Sequence, residues 1–146
     1  MIALADEAAT DTFGRRLAAR LAPGDVVLLS GDLGAGKTAL AHGILAGLGH
    51  VGEVPSPTFT LVQSYEVPGG RLPVWHVDLY RLEDPDEVEE LGLDEILADG
   101  ALIIEWPERA GGRWPEALHL TLADSGEGSR RLTARVPPAW EARWPI

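Results

Sequence analysis

A single α/β domain is the fold class that this sequence of 146 residues predicts, and three observations predict it. A short apolar run, Val26-Val27-Leu28-Leu29, leads into a glycine-rich loop, and residues 38–48 beyond it read as a helix that ends at Gly49. Two further apolar runs each end in an acid: Trp75-His76-Val77-Asp78 and Ala101-Leu102-Ile103-Ile104-Glu105. Hydrophobic content of 45% is enough for one real core at this length. No repeat, low-complexity segment or linker divides the chain, so residues 1–146 are expected to form one domain.

The loop is Gly31-Asp32-Leu33-Gly34-Ala35-Gly36-Lys37-Thr38, which fits the pattern GxxxxGK(S/T) at all four specified positions. Glycines let the backbone wrap closely around phosphate oxygens, so that N–H groups and the start of the next helix face the negative charge. Lys37 then sits on the outer phosphates, and the Thr38 hydroxyl on a magnesium ion that bridges them. The competing reading is a plain glycine turn, but the four positions coincide by chance in roughly one chain in a hundred of this length. Strand, loop and helix also come in the required order.

Taken in order, Thr10 or Asp11 caps a first helix carrying Phe13, Leu17 and Leu21 at a spacing of four, stopped by Pro23-Gly24. Glu7 precedes that helix and reads as a solvated terminal carboxylate. After the loop helix, Val54-Pro55-Ser56-Pro57-Thr58-Phe59-Thr60 leads into a strand that runs to about Val67. Pro68-Gly69-Gly70 turns the chain and residues 72–78 return as a hairpin. Thr58 and Thr60 either reach metal and terminal phosphate, as switch segments do, or line the polar face of the strand.

An acid at the end of an apolar strand beside a phosphate loop is where such sites hold magnesium, directly or through water. Asp78 and Glu105 compete for that role. Glu105 has the cleaner setting, because four apolar residues precede it and Trp106-Pro107 ends the strand at once. Asp78 is left to share the metal or orient the attacking water. His76, with no paired acid in its pattern, reads as a packing or hydrogen-bonding residue.

Asp84 as N-cap, Pro85 at the first helical position and Glu87 at the third open another helix, whose acids form a solvated face or a docking surface for a basic partner. Residues 118–122, a turn at 124–128 and residues 130–136 read as a second hairpin closing the sheet. Its Arg130 and Arg131 could reach a nucleotide. Trp140 and Trp144 suggest a short C-terminal helix that packs down.

Twelve basic against twenty-three acidic residues give a net charge of -11, which works against unaided binding to a nucleic acid backbone. Lys37 is the sole lysine, so no NKxD motif for guanine exists and a Ras-type GTPase is disfavoured. The absence of cysteine excludes disulfides and thiolate metal sites. No apolar run approaches the length of a membrane span and no signal segment opens the chain, so a cytoplasmic location is expected.

With these residues set out, the chain resembles the bacterial TsaE (YjeE) family, the small P-loop ATPases of tRNA threonylcarbamoyladenosine synthesis. The resemblance rests on GDLGAGKT at 31–38, SPTFTLV at 56–62, HVDLYRL at 76–82 and EWP at 105–107, in matching order and spacing. It implies a P-loop NTPase-like mixed β-sheet flanked by helices, with ATP and Mg2+ at the loop. Carried over, it implies that Leu33, Gly34, Ala35, Gly36, Lys37 and Thr38 bind phosphates, that Thr38 and Glu105 hold magnesium, and that Asp78 is a second catalytic acid. Trp106 would lie near the nucleotide and Glu7 near its base or ribose. The resemblance further implies partners, the TsaB and TsaD proteins, with hydrolysis resetting their complex between rounds and tRNA held only through that complex.

Two other functions fit parts of the sequence. A nucleotide-gated adaptor with negligible hydrolysis needs the loop and a docking face alone. A small-metabolite kinase needs an acceptor pocket and a closing lid, for which 146 residues leave little chain.

Overall fold

The structure, a computed structural model, describes residues 2–32, 35–49, 62–65, 72–126 and 129–145. Its centre is a set of apolar strands too uniformly hydrophobic to face water on either side. β2 (Val26–Ser30) and β5 (Ala101–Glu105) are buried at every position, as strands covered on both faces must be. They pair in parallel, with Leu29 opposite Glu105. β4 (Val74–Asp78) continues the parallel set beyond β5, and β6 (Leu118–Gly126) continues it on the other side of β2.

Antiparallel strands finish both ends. β3 (Val62–Tyr65) pairs with β4 as the predicted hairpin; the turn at 68–70 and the segment 51–61, with Thr58 and Thr60, lie outside the described residues. β7 (Ser129–Arg135) returns along β6, and β1 (Ile2–Leu4) pairs with β7. The order β1-β7-β6-β2-β5-β4-β3 makes one mixed seven-stranded sheet. The second hairpin therefore does not close the sheet: β1, too short at three residues to show a pattern, adds one strand beyond it.

Helices cover one face. α1 (Glu7–Ala18) starts earlier than Thr10 or Asp11, because Asp6 is its cap, accepting the Ala9 N–H at 2.8 Å. Thr10 is instead buried inside the helix and Asp11 pairs with Arg15 at 2.7 Å. Phe13 and Leu17 point into the core as expected, while Leu21 lies buried beyond the helix end. α1 crosses α2 (Lys37–Gly47) at backbone contact: a Cβ on Gly43 would stand 2.6 Å from Asp11 O, and one on Gly14 2.8 Å from Ile44 N. With Gly47 against Arg15 and Ala18, the two helices run the same way and start at the same end of the sheet.

The other face is covered by shorter pieces. The acidic run forms a 3-10 helix at Pro85–Leu91 rather than an α-helix, capped by Asp84, whose carboxylate accepts the Asp86 N–H at 3.0 Å. Val88 and Leu91, three residues apart, eclipse on a three-residue turn and meet the sheet together. Gly92, at φ 65°, ends it and α3 (Leu93–Ile96) follows. At the C-terminus α4 (Pro138–Glu141) returns to the face of α1 and α2 and buries Trp140 there, and Arg143 stacks on that ring while pairing with Asp25 at 2.6 and 3.1 Å. Among the described residues no helix is long and apolar enough to cross a membrane.

Candidate active site

Ligands of open parallel sheets gather where the strands end in their carboxyl direction, and there this chain assembles its charged residues. β2 ends at Ser30 and the chain turns through Gly31 into the loop. Gly36, at φ 101°, caps α2 in a left-handed conformation that a side chain would strain. Ala35 is buried, and Leu33 and Gly34 lie outside the described residues. Lys37 opens α2 and is 5% exposed, its ammonium donating to Gly31 O and standing 3.7 Å from the Trp106 ring centroid. Thr38, half-buried, follows it.

β4 and β5 bring the two strand-end acids side by side, Asp78 opposite Glu105 in the register. Both are buried, at 9% and 3% exposure. The Asp78 carboxylate accepts the Tyr80 N–H at 2.8 Å. Burial pushes the Asp78 carboxyl above the usual aspartate range, with the charge of Glu105 adding to it, while the Tyr80 N–H, His76 and Lys37 oppose. Burial likewise pulls the Lys37 ammonium below the usual lysine range, against the acids Glu105, Asp78, Glu108 and Asp32.

Trp106 follows Glu105 directly and is held at φ 60°, unusual for a bulky residue, with its N–H donating to Leu29 O at 3.2 Å. Tyr80 stacks against it at 4.9 Å, and the Arg109 guanidinium lies 5.8 Å from the Tyr80 ring. Such local strain is concentrated where a side chain must be aimed. Here it sets the indole over the loop lysine.

Glu7 lies exposed in the first turn of α1. Because α1 and α2 run the same way, it stands at the loop end of the molecule. Arg130 comes to the loop from β7: a Cβ on Gly36 would meet its Nε at 2.8 Å. It also donates to Ser129 O at 3.0 Å and Asp124 at 3.4 Å. Arg131, one position on, is exposed. A cleft of about 380 Å³ runs between the loop residues Gly31, Asp32 and Ala35 and the β6 segment Thr121, Leu122, Ala123 and Asp124.

His76, read from the sequence as a packing or hydrogen-bonding residue, is fully buried and meets Glu105 with 2.6 Å between Nε2 and Oε2, a partner the sequence reading did not name. The pair is invisible in linear order because it depends on the β4–β5 register, which sets His76 opposite Ile103 and hence beside Glu105 two positions on. Two apolar runs that each end in an acid were the available signal, had they been aligned at those ends.

The donor set fits a magnesium ion held together with phosphates. Two adjacent carboxylates and one hydroxyl are too few for a protein-only cage, and among the described residues no cluster of three His, Cys, Asp or Glu could hold a metal. Mg2+ is ordinarily bound by one or two carboxylates plus phosphate oxygens and water.

Comparison with known proteins shows the family. Residues 4–132 match the sequence model of the family described as threonylcarbamoyl adenosine biosynthesis protein TsaE. A relative from Streptomyces coelicolor, named tRNA threonylcarbamoyladenosine biosynthesis protein TsaE, is 50% identical over 141 residues, covering 84% of this chain and 94% of its own. One of the same name from Haemophilus influenzae is 46% identical over 108 residues, 73% of this chain and 67% of its own. The crystal structure of Bacillus subtilis YdiB superposes with a TM-score of 0.79 at 32% identity, covering 97% of this chain and 88% of that one.

Proposed function

Since the chain belongs to the TsaE family of tRNA threonylcarbamoyladenosine biosynthesis, we propose that it binds magnesium-ATP at the loop and hydrolyses it to reset the TsaB/TsaD complex between rounds. The observation that carries this reading is the meeting of Lys37, Asp78 and Glu105 at the carboxyl ends of parallel strands, where the loop begins. Backbone N–H groups from Leu33 to Thr38 and the amino end of α2 would hold phosphates, and the Lys37 ammonium would neutralise the outer ones. Thr38 and Glu105 would hold magnesium, which supplies charge neutralisation of the phosphate oxygens when bound. Asp78, with its raised affinity for a proton, suits the acid that orients the attacking water. Trp106 would cover the phosphates and Glu7 approach the base or ribose. tRNA would be held by the partners, in the cytoplasm, since a net charge of -11 opposes direct contact with RNA.

Lys37→Ala and Glu105→Ala test the assignment. Each is expected to abolish phosphate release from magnesium-ATP while the fold persists in circular dichroism; full turnover in either variant would refute it.

A further inference from the structure

Glu105 is a strand-end acid with two oxygens, and the structure occupies one of them. His76 Nε2 stands 2.6 Å from Glu105 Oε2, with the histidine 0% and the acid 3% exposed. An ionised carboxylate only accepts, so the contact requires the hydrogen on Nε2. The other ring nitrogen, Nδ1, is buried without a hydrogen-bond partner. Among the described residues, then, the single polar side-chain contact of this imidazole is the acid. A ring placed in a core solely to pack would be better replaced by an aliphatic side chain, since an unsatisfied buried polar atom costs about 1–3 kcal/mol.

Lys37 is a counter-charge at the same site, and Glu105 is the largest acidic influence on it. Lys37 nevertheless donates to Gly31 O and lies over the Trp106 ring instead of closing on the carboxylate. A buried ion pair between them would remove both from the phosphate site. Ligating carboxylates are in general themselves hydrogen-bonded, and the partner fixes which oxygen is offered.

We propose that His76 is the positioning residue of the metal-binding acid: its Nε2–H holds Glu105 Oε2, leaves Oε1 for the cation, and keeps Glu105 from pairing with Lys37. The proposal rests on the reading of Glu105 as a magnesium ligand. It adds a residue that touches neither nucleotide nor metal and acts through the acid alone.

The test is Mn2+ titrated by its paramagnetic signal into the whole chain with a non-hydrolysable ATP analogue, with analogue affinity in EDTA and melting temperature recorded for each variant. His76→Leu is expected to weaken Mn2+ binding about tenfold to a hundredfold, the usual cost of losing such a partner. His76→Gln, whose amide nitrogen can take the place of Nε2, is expected to stay within about threefold of the parent. Analogue affinity in EDTA should be unchanged in both. A merely structural role would lower the melting temperature without separating Gln from Leu in Mn2+ affinity, and that result overturns the proposal. Should the Leu variant fail to fold, His76→Asn replaces it: equally polar but too short to reach Oε2, it must bind Mn2+ as weakly as predicted for Leu. Glu105→Gln separates the two levels. Unchanged Mn2+ affinity there removes Glu105 as a ligand and the proposal with it, whereas weak binding there with parental affinity in His76→Leu removes the positioning role alone.

Discussion

At the scale of one residue, the role proposed for Asp78 and its effect on stability pull apart. Its carboxyl is raised by burial and by Glu105, so between the ordinary aspartate value, about 3.9, and its raised one the native state binds more protons than the unfolded chain. Stability therefore falls as pH rises through that window, and the deficit persists at neutral pH. Asp78→Asn keeps an acceptor for the Tyr80 N–H and removes the charge. It is expected to melt at a higher temperature than the parent at pH 7, to lose that advantage as pH falls toward the ordinary value, and to lose turnover. A lower melting temperature at pH 7 would contradict the charge argument. Lys37, Asp78 and Glu105 were legible in the sequence as candidates, because loop chemistry and strand ends are local patterns, whereas Trp106 entered only through the family resemblance. The histidine behind Glu105 was not legible as its partner, since its meaning comes from a register between strands 29 residues apart.

Among the elements, the β6–β7 hairpin shows how a surface strand acquires a role. Sequence alone left Arg130 and Arg131 equivalent, but alternation along β7 separates them: Arg130 lies against Gly36 and Arg131 stays exposed. A hydrogen bond to a charged group contributes about 1.5–3 kcal/mol, so Arg130→Ala is expected to raise the KM for magnesium-ATP roughly tenfold or more while Arg131→Ala leaves it unchanged. Equal effects from the two would place the arginine away from the nucleotide. Elements with strong local signals, β2, α2, β4, β5 and β7, were read near their true limits, whereas β6 runs on to Gly126 through residues read as its turn. Those that depend on partners were not: β1 exists only because β7 offers it an edge, and the helix at Pro85–Leu91 tightened to 3-10 geometry to seat Val88 and Leu91 together. The start of α1 moved because Asp6, four residues ahead of the Thr10 read as a cap, supplies one equally well.

For the whole molecule, the mixed sheet puts every charged group of the candidate site at one end and an acidic surface elsewhere. A cleft of about 460 Å³ away from the loop is walled by Val88, Leu93 and Trp114 and rimmed by Glu89, Asp94 and Glu95 together with Arg113, which pairs with Glu89 at 3.2 Å. The net charge of -11 favours association of the chain with a basic protein face over direct contact with tRNA. The proposed function divides the labour accordingly, with nucleotide chemistry in this chain and RNA on its partners. The most direct measurement is phosphate release from magnesium-ATP by the purified chain, alone and then with TsaB, TsaD and tRNA. Slow release alone with marked stimulation by the mixture is the predicted result. Bound ATP without turnover in either condition would contradict it, and would make the chain an adaptor that nucleotide merely switches.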